Sequence, residues 1–320
     1  MSARHRLMPR HYAAPLIAAP LMATALIVAT ALTATDAAAV ETIAPRQHIG
    51  FDRPESWAMK YYASVTLLTG LGPPRPLGAG SVRVAVEADW IPSVSDEQRV
   101  VGFEGTKAED LNKLPAIGRL RVTVGLGWKL SLTLSYLPPI SIAGVEPNLF
   151  ALSLGRPFRI GRSFTIGVSS YGQVGSVEGS FTCSDAEVRG GDDLARNPLD
   201  CLEVSHDHVD LNYFGGELTA SYRFAALHGL EPYAGAAVNY LNLGFRVRAH
   251  YGAVDDHTHL TTDGATVSMT GGLLFPVTRK LDLGGEVFYS PLTVRRPQDG
   301  GAQTVEGLFN VRGMIAYRFN

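Results

Sequence analysis

The chain has 320 residues, 46% of them hydrophobic, and its 28 Lys and Arg nearly balance 30 Asp and Glu, for a formal net charge of −2. That balance leaves no basic stripe for nucleic acid, so no nucleic-acid partner is expected. Two cysteines exclude a cysteine metal cluster.

Residues 1–39 read as a cleaved secretory signal peptide. Arg4, Arg6 and Arg10 precede an apolar run that starts at Tyr12, and Ala37, Ala38 and Ala39 supply small residues for cleavage. No cysteine follows the run, so a lipid-modified N-terminus is not expected. Beyond Ala39 nothing approaches the ~18 consecutive apolar residues of a membrane helix.

Residues 40–80 are less legible. "SWAMKYYASVTLLTG" reads as a possible strand, and the "LGPPRPLG" that follows is turn-like and poor in donors. The segment is expected to be periplasmic, or a plug inside the rest of the fold, or extra strand.

From residue 81 the pattern is plain. In "SVRVAVEADW" Val82, Val84, Val86, Ala88 and Trp90 share one face, opposed by Arg83, Glu87 and Asp89. "RLRVTVGLGW" and "LSLTLSYL" repeat the alternation, as do 148–157, 163–181, 209–224, 232–250, 265–276, 280–294 and 305–319. That makes ten segments of period two, with no amphipathic helix of ordinary length among them. In the first long connection Ser95 to Gln98 resembles a capping box, and "KAEDLNK" is expected to be a short helix.

A soluble sandwich would alternate too. Three further features point instead to a transmembrane antiparallel up-and-down β-barrel over residues 81–320. One face carries charges and hydroxyls while the other is apolar with aromatic ends. Several strands reach the ~9–11 residues that cross a bilayer at a tilt. Connections alternate between short and long, as they do in such barrels. About ten strands are expected, with eight or twelve as alternatives.

Over roughly residues 81–320 the chain therefore resembles bacterial outer-membrane β-barrel proteins. Members finish in an alternating strand with a terminal aromatic that the barrel assembly machinery reads. Tyr317 and Phe319 look like that signal, although Asn320 follows the Phe. The resemblance implies an outer-membrane location, with lipids and lipopolysaccharide as surroundings. With the C-terminus in the periplasm, ten strands put every long loop outside. Nothing in the sequence fixes the oligomeric state.

Several side chains are candidates for function. The polar face should form the lumen, and Glu87, Arg119, Arg121, Glu217, Arg223, Arg246, Glu286 and Arg312 are its expected charges. In so narrow a bore they should pair across strands, because an unpaired buried charge is costly. Cys183 and Cys201 lie in the exported part and are expected to form a disulfide. Two clusters, "SHDHVD" and "DDHTH", bring His206, His208, Asp210, His257 and His259 to loop bases. Imidazole and carboxylate together suit a divalent metal. Omptins, also ten-stranded barrels, use Asp and His near the external rim, but no motif beyond that pairing matches. There is no G-x-S-x-G or Walker loop, and no cofactor is expected beyond such a metal. The expected function is a narrow passive channel for ions or small solutes, or a structural barrel. The alternative is a surface hydrolase or metal-binding barrel.

Overall fold

The computed structural model describes residues 40–319, so the expected signal peptide and Asn320 lie outside the described residues. The alternating segments become ten antiparallel strands: β1 (Val82–Trp90), β2 (Ala116–Gly125), β3 (Ser131–Leu137), β4 (Val145–Ile160), β5 (Phe164–Gly179), β6 (Asp207–Tyr222), β7 (Glu231–Arg246), β8 (His259–Pro276), β9 (Leu281–Ser290) and β10 (Leu308–Phe319). Each pairs with its neighbour in sequence, and β10 pairs with β1, so the ring closes. Closure is what lets a sheet cross lipid, because no strand edge is left with unpaired N–H and C=O groups. The eight- and twelve-strand alternatives fall away.

Short turns gather at the end where β10 finishes, here the turn end, and long loops at the other, the loop end. The outer surface is apolar: Phe214, Val238 and Ile315 are each more than half exposed. So continuous an apolar band suits lipid and would be a liability in water. The closing alternation of β10 is thereby explained, since its last residues pair with Val82 to Val84 and complete the ring.

Residues 40–80 add no strand to that ring. At the loop end Glu41–Ile43 and Arg46–His48 pair in parallel with Val254–Asp256 and His259–Thr261. A helix, α1 (Pro54–Val65), follows inside the barrel, and residues 66–80 continue through the lumen to the turn end, where β1 starts. Pro54 at the first helical position and Glu55 in the first turn favour this start. The helix escapes a periodicity search because Trp57, Tyr61 and Val65 are buried on one side, Ser56, Met59 and Ala63 on another, and Glu55, Ala58 and Tyr62 are half-buried between them, leaving no exposed polar stripe. Below it the lumen is tight. A Cβ at Gly155 would come within 2.7 Å of Pro74, and one at Gly167 closer still.

The helix also sets the chemistry of the loop-end half, where the strands keep their phase but the inward positions become apolar. Val209, Leu211, Leu241 and Leu243 point inward and pack with Trp57, Met59 and Val65. Their neighbours Asp210 and Arg246 therefore point outward. A lumen filled by an apolar helix needs apolar walls, whereas one filled by water needs polar walls.

In the loops the Ser95 capping box is present and opens a short helix, α2 (Asp96–Arg99). "KAEDLNK" is not helical: Lys107–Ala108 pairs as a short strand with Val100–Gly102. Cys183 and Cys201 form the expected disulfide. Asp207 anchors the same loop, accepting backbone N–H bonds from Phe181, Thr182 and Arg248 at 2.9, 2.6 and 2.9 Å. The bridge spans 18 positions, worth about 3 kcal/mol to the ordered loop in the chain-entropy account. Replacing both cysteines by serine should make residues 180–206 protease-sensitive in limited proteolysis. The heat-resistant, fast-migrating barrel band on a detergent gel should survive, and its loss would show that the bridge holds the barrel as well.

Candidate functional site

Strand register builds a charged belt across the middle of the lumen. Glu286, Arg312 and Asp89 stand side by side on β9, β10 and β1, and Glu87 faces Arg119 across β1 and β2. Arg312 lies 3.7 Å from Glu286 and 3.9 Å from Asp89. Arg121 Nε donates to Glu87 at 2.5 Å, and Arg119 sits 4.0 Å from the same carboxylate. Arg312 also lies over the Phe288 ring, 4.1 Å from its centre.

These arginines do more than pair with acids. α1 ends at mid-height, and the carbonyls of its C-cap Thr66 and of Leu67 and Thr69 just beyond it have no helical partner. The wall supplies the donors. Arg312 donates to Ser64 O at 3.4 Å, to Leu67 O at 3.2 Å and to Thr69 Oγ1 at 2.6 Å. Arg119 donates to Thr66 O and Arg121 to Thr69 O, both at 2.7 Å. Tyr213 donates to Thr66 O at 2.8 Å and accepts Leu68 N–H at 2.9 Å. Cations at a helix C-terminus also complement its dipole.

Glu217 has a different task from the one expected of it. It makes no ion pair among the described residues and accepts the Gly70 N–H at 3.0 Å and the Ser169 hydroxyl at 3.2 Å. Thr69, Glu87, Asp89, Glu286 and Arg312 are all essentially shielded from solvent. The bore is closed at this level.

Two expected lumen charges lie elsewhere. Arg246 points outward at the loop end, paired with Asp210 at 2.5 Å, because it falls in the same phase of β7 as the outward Val238 and Tyr240. Arg223 is exposed beyond the last residue of β6, at the turn end. Asp89, which alternates in phase with Glu87, belongs to the belt and could have been read from that phase.

The histidine clusters do not converge. His208 pairs with Glu178 at 2.7 Å, His257 with Asp255 at 3.1 Å, and Asp210 is taken by Arg246. His259 stands in β8 opposite Arg246, and His206 is exposed. Among the described residues no three His, Cys, Asp or Glu side chains are placed to hold a metal ion. Tyr317 and Phe319 stack edge to face on the outer surface of β10, with ring centres 4.9 Å apart.

Above the belt, beside α1, lies a cavity of about 260 Å³. Ile49, Met59, Tyr62, Leu111, Phe181 and Phe245 give it a largely apolar wall, and Arg53, Glu55 and Glu109 stand among the polar groups that line it. Burial pushes the Glu109 carboxyl up to about 8, against the pull of Lys107 at 3.0 Å. Lys107 is shared, since Glu187 lies 3.2 Å away.

No protein-family model matches the sequence, and no curated protein matches it. Among solved structures, the attachment invasion locus protein Ail of Yersinia pestis is similar over 76% of this chain and 100% of its own, at 10% identity and a TM-score of 0.31. The translocator domain of the autotransporter NalP from Neisseria meningitidis covers 77% of this chain and 91% of its own, at 12% identity and a TM-score of 0.37. The outer membrane protease OmpT of Escherichia coli covers 75% and 94%, at 11% identity and a TM-score of 0.29. These likenesses concern the fold alone. By its own strand pairing the chain is an all-β, ten-stranded transmembrane barrel.

The Glu109 carboxyl gives a pH test. Its native pKa of about 8 lies above the ordinary 4.5, so the folded loop keeps a proton that the unfolded chain releases. Loop stability should then fall as pH rises from about 4.5 to about 8 and level off above. Hydrogen exchange of residues 100–111, corrected for intrinsic rates, should lose protection over that interval. Glu109→Gln should flatten the profile, and a wild-type profile already flat would contradict the assignment.

Proposed function

We propose that the protein is an outer-membrane barrel, exported by a signal in residues 1–39, with its loop end outside the cell. It works as a narrow passive conduit that is closed at rest. Tyr317 and Phe319 serve the assembly machinery, and lipid and lipopolysaccharide surround the apolar band. The observation that carries the reading is the pairing of a closed belt with an apolar cavity directly above it, walled partly by the same segment that closes the bore. Pockets for drug-sized ligands run from roughly 300 to 1,000 Å³, so a cavity of about 260 Å³ suits a compact, largely apolar solute. A solute seated there touches Ile49, Met59 and Tyr62 of the threaded segment, so occupancy can bias that segment's position.

Two measurements test this. An apolar fluorescent probe such as N-phenylnaphthylamine should bind the detergent-folded protein saturably, and Ala58→Trp, which fills the cavity, should abolish binding. In planar bilayers the wild type should show only rare, small openings. Glu217→Ala releases the Gly70 N–H, and losing a charge-assisted bond of about 1.5 kcal/mol corresponds to roughly tenfold more opening. Steady, large conductance from the wild type would refute the closed belt. Electrical silence of both proteins together with no probe binding would leave a structural barrel.

A further inference from the structure

Below the belt the lumen changes character. A cavity of about 60 Å³ lies between the threaded segment and the walls of β1 to β5. Three arginines line it, Arg75, Arg83 and Arg121, together with the hydroxyls of Thr123, Ser131, Thr133, Ser153 and Ser169. No carboxylate is among its lining residues. A smaller cavity of about 30 Å³ adjoins it through Pro73, Pro74 and Arg75 and is lined at the turn end by Arg159, Arg162 and Arg223, with Glu231 its one carboxylate.

Arg121 is committed to Glu87 and the Thr69 carbonyl, but the other cationic groups here are not used up by the acids nearby. Arg75 lies 3.4 Å from Glu231, yet neither its Nε nor that Nη2 has a hydrogen-bond partner. Glu231 itself accepts the Ser221 hydroxyl at 2.7 Å. Arg83 and Arg318 share the single carboxylate of Asp282 at 3.7 and 3.9 Å, and both Nε atoms lack partners. Arg75 is also held in place unusually firmly. Pro73, Pro74 and Pro76 fix the backbone around it and offer no N–H of their own. They press against Gly155 and Gly167, where no side chain intervenes.

We propose that this turn-end chamber is a binding site for a small inorganic oxyanion of phosphate or sulfate type, entered from the turn end. Guanidinium groups and hydroxyls are donors suited to tetrahedral oxygens, and charge-assisted bonds to an anion are the strong ones in a poorly hydrated site. Size sets the class. One water needs roughly 10–15 Å³ of such space, so the chamber takes a few waters or one oxyanion and excludes phosphorylated metabolites. A lipid headgroup is excluded too, because the site is walled by strands on the lumen side of the barrel. The site does not depend on the conduit reading, since Arg75 and Arg83, the cations it turns on, take no part in the belt.

The test is calorimetric titration of inorganic phosphate, and separately sulfate, into the full-length protein folded in phospholipid-free non-ionic detergent at low ionic strength. The expected result is saturable one-to-one binding by at least one of them, weakened by at least about tenfold in Arg75→Gln and unchanged in Arg246→Gln at the other end. Arg75→Lys should retain part of the affinity, and added sodium chloride should weaken binding in the wild type. If Arg75→Gln does not give the folded band, Ser153→Asp, which puts a carboxylate into the chamber, is read instead and should abolish binding. No saturable heat with either anion, or Arg75→Gln binding like the wild type, would overturn the site.

Discussion

The structure depends on one contact set: the carbonyls at the C-cap of α1 and in the turn just beyond it meet arginines from the barrel wall. A helix that ends inside a lumen leaves its final C=O groups with no water and no helical partner, an arrangement that is costly if unanswered. Arg312, Arg119 and Arg121 answer it, with Tyr213 adding a hydroxyl. The same arginines must in turn be neutralised, which accounts for Glu87, Asp89 and Glu286 around them. Helix position, belt composition and closure of the bore are thus one electrostatic arrangement. Removing a single arginine would leave both an orphan carbonyl of the threaded segment and a buried acid.

That arrangement divides the lumen into storeys with different chemistry. Towards the loop end the helix displaces water, so the walls are apolar and one cavity there remains large enough for a small molecule. At mid-height charge is dense but matched. Towards the turn end Leu71, Leu274 and Met314 form a minor apolar cluster, and arginines outnumber the acids near them. The threaded segment touches all three storeys, so any displacement of it is felt at both ends.

The fold was legible because a lipid-facing wall must be apolar at every second residue, whatever fills the inside. That constraint is local and survives in the sequence from Val82 to Phe319. The disulfide was legible for a similar reason, two cysteines and no others. The lumen was less so. Glu87, Arg119, Arg121, Glu286 and Arg312 could be assigned inward because they are polar, but that rule misplaces Arg246, since the inward positions beside α1 are the apolar Leu241 and Leu243 and the unbroken phase of β7 puts Arg246 outside. The histidines at 206, 208, 257 and 259 looked alike in sequence, yet strand register gave His208 to Glu178 while His257 turned to Asp255 two residues before it.

What the sequence by itself determined is the barrel: period two, alternating loop lengths and the final strand that closes the ring. What only the tertiary structure decided is the content of the lumen. A segment buried on every side carries no periodic signal, so α1 could not be read as a helix from its own residues. Its ends, its arginine partners and the cavities above and below it are set by strands far away in sequence. Their mutual register is fixed only when the ring closes.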